Sequence, residues 1–156
     1  MLKVHFLVEP HYRVDRKIVR HALQITAEKN NLKQDAEITV SIIGDRKMKS
    51  LNSQFRGKDT TTNVLSFNIS EVSKIPNFHP PVEDDLYVGD VVISYPVALS
   101  EAIEENILVD SRIAYLAVHG LLHLFGHDHE DGRDALEMEN LEDKIMRELK
   151  VPEIIK

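Results

Sequence analysis

Three histidines late in the chain are the residues whose type and spacing point most directly to chemistry. Residues 113–125 read IAYLAVHGLLHLF, and the chain continues GHDH to residue 129. His119 and His123 are four residues apart, so on a helix they share one face, one turn apart. The residues around them are apolar in every direction, which marks a buried helix. Two imidazoles in such a setting need partners, because an unpaired buried polar group costs on the order of 1–3 kcal/mol. A shared metal ion meets that need. Gly126 follows His123 by three residues and is placed to end the helix in a left-handed turn. The reversed chain then brings His129 back beside the pair. Three neutral imidazoles leave the fourth position of a tetrahedral Zn2+ open to water, as catalytic sites do. Such water is acidified toward a pKa of about 7. The expectation is one hydrolytic metal site built from His119, His123 and His129.

The spacing H-x3-H-x5-H, with its glycine, matches the metzincin peptidase signature HExxHxxGxxH except at one position. Where a peptidase carries its general-base glutamate, this chain has Gly120. Without that proton shuttle, expulsion of a poor amine leaving group is unsupported, so peptide hydrolysis is disfavoured. His127 shares the segment, but a fourth imidazole would close the site, so it is read as facing substrate or supporting a ligand. The general acid is left open among His127, Asp128 and Glu130. His5, His11, His21 and His79 stand in no comparable context.

Elements must position these side chains. Residues 2–8, 36–43, 64–69 and 87–94 read as strands. Residues 15–30 read as a helix capped by Asp15, and a short helix from Asp45 carries Met48, Leu51 and Phe55 at helical spacing to a stop near Gly57. Ser94 caps a helix with Pro96 in its first turn, and residues 111–125 and 134–149 form two more, the last acidic. Between Ser70 and Leu86 lies a long connection bearing three prolines and an acidic run. Four strands and about five helices, not strictly alternating, predict an α+β fold. It would be a single domain over residues 1–156 with a small four-stranded mixed sheet, its metal site on a buried helix and the turn after it. The strand order does not follow from the sequence.

A second constellation is LNSQFRGKDTTTNVLSF at residues 51–67, where Arg56 and Lys58 flank Gly57 at a helix end. Cationic donors beside an exposed turn suit a phosphate or another anion. The formal net charge of −7 argues against a nucleic-acid binder until it is divided along the chain. Residues 1–70 hold 12 Lys and Arg against 7 Asp and Glu, whereas residues 71–156 hold 7 against 19. A basic half and an acidic half offer different surfaces to different partners. The absence of cysteine excludes disulfides and thiolate metal sites and agrees with a reducing cytosol. No apolar run approaches a membrane span, and the N-terminus lacks a signal-peptide pattern, so no membrane partner is expected.

Together HGLLHLFGHDH at 119–129, FRGKDTTTNVLSF at 55–67 and VGDVVIS at 88–94 resemble the YbeY family of metal-dependent bacterial endoribonucleases and rRNA maturation factors. The motifs run in the family's order, and the resemblance covers essentially the whole chain. It implies that His119, His123 and His129 are ligands of one zinc per chain, although imidazoles also accept nickel, copper or iron. It implies that Arg56 is the functional arginine, and that Asp90 of the GD pair serves function or ribosomal contact. The implied activity is cleavage of single-stranded RNA in the cytoplasm. Its roles would be maturation of the small-subunit 16S rRNA 3′ end and ribosome quality control, with the small subunit or its proteins as partners. The rival readings are a peptidase or small-molecule hydrolase, and a ribosome-binding assembly factor whose metal is purely structural.

Overall fold

The computed structural model of the protein describes residues 1–75, 86–126 and 132–149. Its elements are β1 (Leu2–Val8), α1 (Arg16–Lys29), β2 (Ala36–Ile43), α2 (Asp45–Arg56), β3 (Val64–Phe67), α3 (Ile69–Val72), β4 (Leu86–Ser94), α4 (Tyr95–Glu105), α5 (Val109–Leu124) and α6 (Gly132–Leu149). The β-branched run of β2 is buried along its whole length, because it lies inside the sheet with elements on both faces. Strand order is β1-β2-β4-β3, with β1, β2 and β4 parallel and β3 antiparallel to β4. Parallel neighbours need a crossover, and α1 supplies it between β1 and β2. This is the α+β domain with a small mixed sheet that the element pattern predicts.

Alternation along the strands sends side chains to two cores. On one face Leu2, Val4, Ile38, Val40, Val91 and Ile93 pack with α1 and α5. On the other, Leu65, Phe67 and Val92 meet Met48 and Leu51 of α2 and Val72 of α3. The amphipathic α6 docks on α1 and α5 through Met138, Ile145 and Leu149.

Two details depart from the sequence reading. The third strand stops at Phe67, not residue 69, because Asn68 caps a further helical turn. Its side chain accepts from the Glu71 amide at 3.1 Å, while the Glu71 carboxylate accepts from the Asn68 amide. The described residues therefore hold six helices rather than about five, and the long connection begins with α3. Gly89, which interrupts the apolar pattern of β4, has φ 145° beside an irregularity in the β2–β4 register. A Cβ there would run into the Phe67 carbonyl oxygen, so only glycine fits. Among the described residues no single helix is long and apolar enough to cross a membrane.

Candidate active site

The apolar sequence of α5 fills two packing faces at once. Ile113, Leu116, Ala117 and Leu121 face the sheet side, and Ala114, Val118 and Leu122 face α1 and α6. One stripe remains, occupied by Arg112, Tyr115, His119 and His123 at i, i+3, i+7 and i+11. The imidazoles converge there: their Nε2 atoms are 3.2 Å apart, with the ring planes at 70°. Two nitrogens on one tetrahedral zinc at 2.0–2.1 Å stand about 3.3–3.4 Å apart, so this spacing suits a shared ion. Gly126 has φ 97° and its amide bonds the His123 carbonyl, ending the helix in the left-handed turn expected of it. His129, His127, Asp128 and Glu130 lie outside the described residues. Within the described residues no cluster of three metal-binding side chains occurs.

His119 is oriented from behind. Its Nδ1 lies 2.8 Å from Oε2 of Glu142 on α6, a carboxylate only 3% exposed. Since a carboxylate accepts, Nδ1 carries the hydrogen and the Nε2 lone pair faces His123. The Tyr115 hydroxyl stands near the same carboxylate. Burial first, then that neighbouring charge, push the hydroxyl well above its ordinary pKa and keep it a donor.

Arg56 reaches this place from the end of α2. Gly57 stops the helix at φ 70°, with its amide on the Ser53 carbonyl and the Lys58 amide on the Asn52 carbonyl. The Arg56 side chain folds back over the Phe67 ring, 5.0 Å from its centre. Nη1 donates to the Phe55 carbonyl and to Glu71 at 2.7 Å, and Nη2 donates to the Ser66 carbonyl at 2.7 Å. A guanidinium has five N–H donors. The Nε hydrogen and one Nη2 hydrogen are uncommitted among the described residues. A cavity of about 330 Å3 has Arg56, Asn63 and Ser66 on one side and His119 and His123 on the other. Two constellations far apart in sequence thus share one space.

A family model described as Endoribonuclease YbeY matches residues 9–150. Proteins named Endoribonuclease YbeY are 39% identical over 143 residues in Acinetobacter baumannii, covering 91% of this chain and 88% of theirs. In Francisella philomiragia the identity is 36% over 138 residues, covering 86% and 82%. The chain belongs to the YbeY endoribonuclease family. A solution structure of a Thermotoga maritima protein, 25% identical, shares the fold with a TM-score of 0.60 over 96% of this chain and 89% of its own.

Within this YbeY-family fold, Gly120 has a plain physical reason. A Cβ at that position would lie 2.6 and 2.9 Å from the two methyls of Val91 and 3.0 Å from Ser66 Oγ. The Ser66 hydroxyl donates to the Gly120 carbonyl at 2.9 Å. Position 120 faces the sheet, so the peptidase glutamate has no room here. Asp90 stands apart from the histidines. It is paired with Thr39 and Phe67 in the sheet and is 1% exposed, and its carboxylate accepts from the Tyr87 hydroxyl. It faces the core containing Phe67, opposite α5, and there its carboxylate is covered.

Sequence reasoning missed Glu142, Glu71 and Ser66. Glu142 had a signal. It follows Met138 by four residues and precedes Ile145 and Leu149 by three and seven, so it sits in the apolar stripe of an otherwise acidic helix. Glu71 had only its capping-box spacing from Asn68, and Ser66 had none, since the pairing of β3 with β4 and the turn of α3 bring them to Arg56.

Proposed function

We propose that this protein is a metal-dependent endoribonuclease that cuts single-stranded RNA. In this reading it matures rRNA, including the small-subunit 16S 3′ end, and serves ribosome quality control in the cytoplasm in contact with the small subunit. The observation that carries the reading is the single cavity shared by the His119–His123 pair and Arg56. His129 is the proposed third ligand, and zinc is the proposed ion among those that imidazoles accept. A divalent ion held there supplies Lewis acidity and an acidified water.

The protein's own side chains do the rest. The two uncommitted donors of Arg56 form part of a planar fork matched to phosphoryl oxygens, and they stabilise the charge that builds there during cleavage. Glu71 and the Ser66 carbonyl hold the guanidinium in place, so no reorganisation is needed at the moment of reaction. The exposed Arg46, Lys47 and Lys49 of α2, with Lys58 beyond it, attract the RNA backbone.

Metal analysis of the purified protein, combined with cleavage of a single-stranded RNA oligonucleotide, tests this reading. His123→Ala should lose both metal and cleavage. Arg56→Ala should lose cleavage and keep its metal. If chelator-treated wild type cut RNA as fast as the metal-loaded form, the reading would fail.

A further inference from the structure

Three carboxylates are buried among the described residues: Glu37, Asp90 and Glu142. Glu37 meets His5, and Asp90 meets Tyr87, both away from the cavity. Glu142 alone holds a side chain that lines it. We propose that Glu142 is the positioning residue of the metal centre, fixing the His119 tautomer and tying α6 to the site. The inference rests on the metal reading above and deepens it.

The argument starts from packing. Met138, Ile145 and Leu149 anchor α6 in an apolar cluster, and Glu142 occupies the same stripe. An apolar residue there would continue the cluster, and a buried carboxylate is disfavoured unless it is well hydrogen-bonded. Glu142 receives His119 Nδ1 at 2.8 Å, with the Tyr115 hydroxyl near it from the preceding turn of α5. The carboxylate keeps the hydrogen on Nδ1, so the lone pair of Nε2 stays turned toward His123. It also makes that nitrogen a stronger donor to a cation, as carboxylate–histidine pairs do at metal centres. Because the carboxylate arrives from α6, the docking of that helix and the orientation of His119 are one arrangement.

A purely structural role for Glu142 would leave the tautomer and the metal affinity unmoved once the fold is intact. The test therefore uses Glu142→Ala, the near-isosteric Glu142→Gln, and Tyr115→Phe, each first checked for wild-type helical content by circular dichroism. Zn2+ affinity is measured by chelator competition, and the His119 tautomer is read from imidazole 15N–1H correlation spectra. Glu142→Ala should weaken Zn2+ binding about 10–100-fold and lose the Nδ1–H preference. Glu142→Gln, which keeps an acceptor for Nδ1–H without the charge, should retain the tautomer and lose less affinity. Tyr115→Phe should lie between Gln and wild type. Wild-type affinity and tautomer in both folded Glu142 variants would overturn this assignment while leaving the metal reading intact. A wild-type protein that binds no Zn2+ would overturn both.

Discussion

Replacing Gly120 by alanine tests how closely α5 approaches the sheet. The added Cβ would sit 2.6 and 2.9 Å from the Val91 methyls, against an ordinary carbon–carbon contact of about 3.5–4.0 Å. One partner must move by about 1 Å to restore that contact. Val91 is fully buried in β4 and β-branched, so it has little rotamer freedom to turn aside. Forcing an extra carbon into a filled core costs about 1–3 kcal/mol, and a stiff partner that must move by about 1 Å puts this site at about 2–3 kcal/mol. Alanine recovers roughly 0.8–1 kcal/mol through its better helix propensity. The expected net loss is about 1–2 kcal/mol, or roughly 2–8 °C in Tm for a chain of this size. Thermal and urea unfolding followed by circular dichroism measure it. Val91→Ala removes both offending methyls, so the double mutant should be more stable than additivity predicts, by about 0.5–3 kcal/mol. An unchanged or raised Tm for Gly120→Ala, or strictly additive losses in the cycle, would refute the close-approach argument. Gly120→Glu, which restores the metzincin spelling, should cost more stability still and give no peptidase activity.

Two further substitutions probe other parts of the site. Arg56→Lys keeps the charge but cannot hold Phe55, Ser66 and Glu71 while offering a planar fork, so kcat on RNA should fall about 10²–10³-fold with metal content unchanged. Near-wild-type cleavage by that variant would count against a positioned guanidinium. Burial holds the Asp90 carboxyl above its ordinary 3.8, although the Tyr87 hydrogen bond pulls the other way. A group raised in the folded state favours folding below its unfolded value, and that contribution is lost as pH rises through the folded value. Asp90→Asn escapes the loss, so it should melt above wild type at pH 7, with the gap closing below about pH 4. Parallel melts at the two pH values decide this.

Much of the fold was legible because its signals are local. The apolar run around His119 and His123, the glycine stops at Gly57 and Gly126, and the β-branched run of β2 each specify their element through neighbours a few residues away. The ends of α1, α5 and β4 accordingly fall within two residues of the sequence reading. The turn of α3 was hidden because a single helical turn has no periodicity to detect; only the Asn68–Glu71 pair announces it. Asp90 was legible as an acid in a strand but not as a covered one, because which face a strand residue takes depends on what packs there.

The histidine pair itself came from the sequence, since spacing on one helix is fixed by the helix. What the tertiary structure decided is what stands around that pair. Setting β3 antiparallel against β4 turns Ser66 toward α5, brings Arg56 to the histidines and leaves position 120 without space for a side chain. Docking of α6 puts a carboxylate behind His119. These are contacts between segments remote in sequence, and they exist only after the strand order is chosen and the helices are packed. Helical periodicity supplies the ligands, and long-range pairing supplies what orients them.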